Sequence, residues 1–267
     1  ELWIARTLSE QRRTQLRRQQ RMAAALLDRL NPSLDPQERR HVWSRLRTEI
    51  TTGWQTEEHP RQRLTVADER EYAMFHFAEV LYRIVPGFYE EIAAALEALY
   101  GARVSDIDPP TVLQFGTWVG GDMEGTPDVH AKTIRETLAR QQQVIINEYF
   151  TECQQLSQLL SQSASRIDVS AELRRRIDEY SMLLPSARSA VSSRHDQMPY
   201  RAYFAQLGER LRHTYEGRAG RYERVEQFRA DLVLATRSLK ANRGDHAGNQ
   251  LVRRLLLRVD TFGFHLA

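Results

Sequence analysis

The sequence predicts a mainly α fold with a few short strands, and three observations predict it. Apolar residues recur at helical spacing along most of the chain. Capping residues and glycine–proline punctuation mark where those helices begin and end. Only three places read as extended: around Gln114, around Phe264, and the first residues.

The elements follow in order. Between Arg12 and Leu30, Leu16, Ala23, Leu26, Leu27 and Leu30 recur among arginines and glutamines, which predicts an amphipathic helix. Asn31-Pro32-Ser33 ends it. Asp35 then stands at an N-cap, Pro36 at the first helical position and Glu38 three residues after the cap. The helix that follows carries Val42, Trp43, Leu46, Ile50 and Trp54 on one face. A third begins near Val66-Ala67-Asp68-Glu69, runs through Met74, Phe77, Val80, Leu81 and Ile84, and stops at Pro86-Gly87. The fourth, Phe88 to Tyr100, closes on Gly101.

A short strand from Gln114 to Val119 runs into the turn Gly120-Gly121-Asp122-Met123-Glu124-Gly125, followed by Thr126-Pro127. Three of the chain's 13 glycines fall in that turn, where a side chain would obstruct a close approach of the backbone. A long helix from Ala131 to about Ser161 follows, then helices over Ala171 to Leu184, Tyr200 to Thr214, Val225 to Ala241 and Gly248 to Val259. The loops between them are Pro185 to Pro199, Glu216 to Gly220 and Asn242 to His246. Segments 1–110 and 162–257 thus read as helical, 111–161 as strand, glycine turn and helix, and 258–267 as a strand. Helices separating isolated strands point to βα units with unusually many helices between strands.

Composition excludes several classes. With 267 residues, 41% of them hydrophobic and 27% charged, the chain can build a packed core. Its 38 basic residues are offset by 35 acidic ones, so it lacks the basic excess of a nucleic-acid binder. One cysteine, Cys153, excludes an internal disulfide framework and a multi-cysteine metal site. No apolar run nears the roughly 18 residues of a membrane span. The chain opens without Met and closes on an apolar run, Phe262-Gly-Phe-His-Leu-Ala267, so a fragment is expected.

Several constellations carry possible chemistry. The turn from Gly120 to Gly125 can offer backbone N–H groups to an anion ahead of a helix dipole. Alternatively, Asp122 and Glu124 hold a cation or an arginine, or the turn is a plain connection with an acidic surface. Arg12 and Arg13 can donate paired hydrogen bonds to a phosphate or carboxylate, although a solvated face continued by Arg17, Arg18 and Arg21 is the simpler reading. The charged stretch around Trp54, Arg61, Arg63 and Asp68-Glu69 reads as an ion-paired corner or a solvated helix end. None of the eight histidines has metal-ligand spacing, and His76 and His265 read as core residues. Cys153 has no histidine near it in sequence and does not read as a nucleophile.

Four of these segments together resemble the phosphoenolpyruvate carboxylase family. Phe115 to Lys132 is similar to that family's Ser-Trp-Met-Gly-Gly-Asp-Arg-Asp-Gly-Asn-Pro segment, with Met123, Glu124 and Thr126 at its arginine, aspartate and asparagine. Trp54-Gln-Thr-Glu-Glu58, with Arg63, Thr65 and Asp68-Glu69, is similar to its Trp-x-Thr-Asp-Glu segment. Val259 to Leu266 resembles the strand leading into its Leu-Asp-x-Arg-Gln motif. Arg12-Arg13-Thr14 matches the end of its His-Pro-Thr-x-x-x-Arg-Arg-Thr signature, but Ala5-Arg6-Thr7 stands where the triplet belongs, so the family's catalytic histidine has no counterpart. Order and spacing fit over essentially the whole chain.

The resemblance implies part of a helix-rich (β/α)8 barrel, incomplete as a barrel, from a cytoplasmic homotetramer under allosteric control. It implies a carboxy-lyase that turns phosphoenolpyruvate and bicarbonate into oxaloacetate and phosphate, replenishing the tricarboxylic acid cycle. Mg²⁺ or Mn²⁺ is the implied cofactor, with its ligands outside this chain. Arg12, Arg13, Gly120, Gly121, Asp122 and Gly125 are the expected support of the substrate site. The implied partners are the substrates and the remainder of the barrel, not nucleic acid or membrane. A non-catalytic helical scaffold is the alternative that the missing histidine favours.

Overall fold

A computed structural model of the chain describes residues 2–56, 65–101, 110–121, 129–184 and 197–267, with the side chains of residues 2–13 and 16 outside that description. The helices are α1 (Leu2–Arg29), α2 (Pro36–Trp54), α3 (Val66–His76), α4 (Tyr82–Tyr100), α5 (Ala131–Leu159), α6 (Ala171–Leu183), α7 (Pro199–Glu216), α8 (Val225–Ala241) and α9 (Gln250–Phe262). Two π-helical turns, Phe77–Leu81 and Asp245–Asn249, precede α4 and α9. The described residues contain no strand. They divide into two compact units, Glu1–Phe75 with Val119–His130, and His76–Trp118 with Ala131–Ala267.

In the first unit α1 packs along α2. The cap read from sequence is present: the Asp35 carboxylate accepts from the N–H groups of Gln37 (2.7 Å) and Glu38 (2.8 Å), and Glu38 accepts from the N–H of Asp35 at 2.9 Å. The expected apolar faces are buried only in part. Ala25, Val42 and Leu46 are buried, whereas Leu26, Leu27, Leu30, Trp43, Ile50 and Trp54 are exposed. Two packed helices bury one stripe each, and a second stripe needs another layer to cover it. The extended N-terminus expected from sequence is also absent, since α1 starts at Leu2.

The second unit is a helical assembly in which α5 lies along α7 and α8 along α9. Its core combines Ile145, Tyr149 and Leu156 of α5 with Tyr203, Phe204 and Leu207 of α7, Phe228 and Leu232 of α8, and Leu255 and Phe262 of α9. The helix stop expected at Pro86 is overturned, because Pro86 lies inside α4. Proline has no N–H for the carbonyl four residues back, that of Tyr82. Arg258 of α9 supplies the donor, Nε to Tyr82 O at 2.9 Å. As expected, α4 closes on Gly101, with φ +76°.

The strand expected over 258–267 is also absent. α9 runs to Phe262, and the rest is a turn and irregular chain. A strand needs a neighbour to take its backbone groups, and the described residues offer none. The run still buries its apolar side chains. Phe264 and Leu266 are buried, Phe264 stacks on Phe228 at 6.4 Å, and His265 is exposed rather than core.

Candidate functional site

The glycine turn is approached by a pinned, irregular segment and not by the expected strand. The hydroxyl of buried Tyr89 accepts from the N–H groups of Val112 (3.0 Å) and Leu113 (3.2 Å). The Phe115 ring stacks on Phe262 at 5.3 Å and meets Phe77 edge-on at 5.8 Å. A side-chain hydroxyl and an aromatic clamp thus hold this segment. At the turn itself Gly120 is buried with φ +78°, a left-handed conformation that favours glycine, and Gly121 is exposed. Asp122, Met123, Glu124, Gly125, Thr126 and Pro127 lie outside the described residues.

Arg12 and Arg13 lie on α1, which belongs to the same compact unit as Gly120 and Gly121, but their side chains are outside the described set. Arg18 departs from the expected solvated basic face, whereas Arg21 is exposed and paired. Arg18 is buried and donates to Thr52 O (3.3 Å) and Thr56 Oγ1 (2.8 Å). Arg21 holds Glu49 with two bonds, at 2.5 and 3.1 Å. That hydrogen bond lowers the Glu49 carboxyl below its ordinary range. The basic face of α1 is therefore partly an internal seam with α2. The charged corner resolves in part: buried Asp68 accepts from the N–H (2.9 Å) and Oγ1 (2.7 Å) of Thr65 at the start of α3. Glu57, Glu58, Arg61 and Arg63 lie outside the described residues.

Sequence reasoning missed two polar clusters in the second unit. The first centres on Asp231, which is fully buried. Its carboxylate accepts from Arg176 Nη1 (2.6 Å), Tyr180 Oη (2.6 Å) and Tyr222 Oη (2.8 Å), with Arg210 at 3.5 Å. Arg210 also lies over the Tyr222 ring, 3.9 Å from its centre. Burial and the Asp231 charge push the Tyr180 phenol up to about 12, which keeps it a proton donor. A signal was present in α8, where Asp231 occupies the stripe of Phe228, Leu232, Ala235 and Leu239. A carboxylate on a core stripe implies buried donors.

The second cluster joins α4, α5 and α9. Besides capping Tyr82, Arg258 donates to Glu152 at 3.0 Å, and its guanidinium lies 4.7 Å from the centre of the Tyr82 ring. Tyr149 Oη reaches the carbonyls of Arg258 (3.3 Å) and Gly263 (2.9 Å) at the end of α9. Burial pushes the Glu152 carboxyl up, and Arg258 only partly offsets it. One turn earlier, burial also raises Glu148, opposed by Arg83 and reinforced by Glu79 and Glu152.

A carboxyl raised on folding contributes stability below its unfolded pKa, about 4.3. That contribution is lost as pH rises through the raised value. Glu148→Gln is therefore expected to raise the melting temperature at pH 7, with the gain vanishing near pH 4. Thermal melts at both pH values check it, and an equal gain at both would contradict it.

Chemically, these clusters hold helices together. Cys153 is buried and burial pushes its thiol well up, so it is poorly suited as a nucleophile. Among the described residues no three His, Cys, Asp or Glu side chains group to hold a metal ion. Among them, too, no helix is long and apolar enough to cross a membrane.

The chain is 44% identical over 256 residues to a phosphoenolpyruvate carboxylase of Xanthomonas euvesicatoria pv. vesicatoria (strain 85-10), covering 96% of this chain and 28% of the relative. It is 34% identical over 264 residues to one of Ralstonia nicotianae, covering 93% of this chain and 26% of the relative. A third, from Roseiflexus castenholzii, is 30% identical over 281 residues, with 100% of this chain and 30% of the relative covered. The chain thus spans between a quarter and a third of the length of these relatives. The family model described as phosphoenolpyruvate carboxylase matches residues 7–267, and the chain belongs to that family.

Proposed function

We propose that this chain is part of a phosphoenolpyruvate carboxylase, inactive alone, whose whole protein converts phosphoenolpyruvate and bicarbonate to oxaloacetate and phosphate. The observation that carries the reading is the family match over residues 7–267, which takes in the glycine turn and the paired arginines together. In the proposed reaction a bicarbonate oxygen bonds to phosphorus and the enol C–O–P bridge breaks at phosphorus. Carboxyphosphate and an enolate result. Carboxyphosphate then releases CO₂ and phosphate, and the enolate carbon attacks CO₂.

In this reading Arg12, Arg13, Gly120, Gly121, Asp122 and Gly125 support the substrate site without doing chemistry. Guanidinium groups suit the phosphate's charge and geometry, and the glycines of the turn leave room at the site. Bound Mg²⁺ or Mn²⁺ would supply Lewis-acid stabilisation of developing negative charge, from ligands outside this chain. We place the chain within a (β/α)8 barrel of a cytoplasmic tetramer under allosteric control, where active sites lie at the C-terminal ends of strands.

A second reading, a non-catalytic helical scaffold, is favoured by one observation: Ala5-Arg6-Thr7 replaces the family's His-Pro-Thr. A coupled assay for oxaloacetate on the full-length protein separates the two. The enzyme reading expects turnover that requires phosphoenolpyruvate, bicarbonate and Mg²⁺; its absence under all conditions would leave the scaffold.

A further inference from the structure

A cleft of about 730 Å³ opens in the second unit between α4, Pro110–Thr111 and the start of α9. Its volume falls in the range of sites for small organic ligands. The hydrogen-bonding capacity of its wall is one-sided. Its arginines are engaged: Arg229 grips Asp260 at 2.5 and 3.3 Å, Arg254 pairs with Glu90 at 3.3 Å, and Arg253 has an interaction of its own. Acceptors are left over. Glu97 and Asp245 line the cleft, and among the described residues neither is paired with a cation.

Asn249 also lines the cleft and is only 7% exposed. Its Nδ2 donates to Asp245 Oδ1 at 3.2 Å, while its Oδ1 is buried without a hydrogen-bond partner. A buried acceptor left unmatched is unfavourable and calls for a donor. The turn that carries both residues is held in place, since Gln162 Nε2 donates to Ala247 O at 2.5 Å. Ala93, Leu256 and Leu257 add an apolar stretch.

We propose that this cleft binds a small organic cation, an amine or diamine on a short apolar stem. One ammonium group donates to Asp245 and Asn249, the stem lies on the apolar stretch, and a second ammonium meets Glu97. An anionic ligand would first have to displace the carboxylates already on Arg229 and Arg254. The site is a property of this chain and does not depend on the proposed carboxylase activity.

Titration calorimetry of 1,4-diaminobutane into the full-length protein tests the proposal. Saturable binding to one site is expected, weakened at least tenfold by Glu97→Gln and by Asp245→Asn, with no binding of 1,4-butanediol or succinate. Glu97 and Asp245 are both exposed, so these variants leave the core intact. Absence of saturable binding, as when another segment of the protein fills the cleft, would overturn the proposal. So would binding that neither variant weakens, or succinate binding that competes with the diamine.

Discussion

Asp231→Ala is expected to cost about 4 kcal/mol of folding stability, within the range for removing one partner from a buried ionic cluster. The carboxylate is fully buried and accepts from an arginine and two tyrosine hydroxyls, with a second arginine close by. Removing it leaves the guanidinium of Arg210, 8% exposed, without its carboxylate, and that of Arg176 with only the more exposed Glu179. The phenols of Tyr180 and Tyr222 lose their acceptor at the same time. Asp231→Asn keeps the shape and part of the hydrogen bonding, so it should cost less than Asp231→Ala. Urea denaturation of the three proteins checks the order. A cost below about 1 kcal/mol for Asp231→Ala, the level of an exposed pair, would show that the cluster is not a keystone.

The second large effect is expected at Arg258. Arg258→Leu should cost about 3 kcal/mol, because it strands Glu152 and exposes the unmatched carbonyl that Pro86 leaves at Tyr82. Both ionic side chains are largely buried, at 13% and 18% exposure, so water replaces the lost bonds poorly. Arg258→Lys keeps the charge but cannot reach the carbonyl and the carboxylate in the same planar geometry, and should recover only part of the loss. Adding Glu152→Leu to Arg258→Leu removes the stranded charge and should restore part of the stability. Additive losses in the double variant would contradict the coupling.

Arg258 also marks the boundary between what was legible in the sequence and what was not. The capping box at Asp35 and Glu38 and the closure of α4 on Gly101 follow from local rules, because the interacting groups lie within one turn of each other. The stop at Pro86 is local too, and it failed for a non-local reason: the donor to the Tyr82 carbonyl arrives from a residue 176 positions along the chain from Tyr82. The strands at Gln114 and Phe264 failed likewise. Their apolar pattern was real and their side chains do pack, Phe115 on Phe262 and Phe264 on Phe228. Pattern alone does not supply a neighbouring strand. For the candidate site, the family motifs were legible as residue types in order. The use of Arg18 and Arg21 within α1 and α2 was not, because an arginine run looks alike whether it faces water, phosphate or a neighbouring helix.

The proposed role of this chain, in a protein that carboxylates phosphoenolpyruvate, can be tested on the reaction itself. Its most direct measurement is NMR of the full-length protein's products from phosphoenolpyruvate and ¹³C-bicarbonate with Mg²⁺. The carboxylase reading predicts ¹³C in one carboxylate of oxaloacetate and one phosphate released for each label incorporated. Phosphate release without labelled oxaloacetate, or no reaction at all, would contradict it.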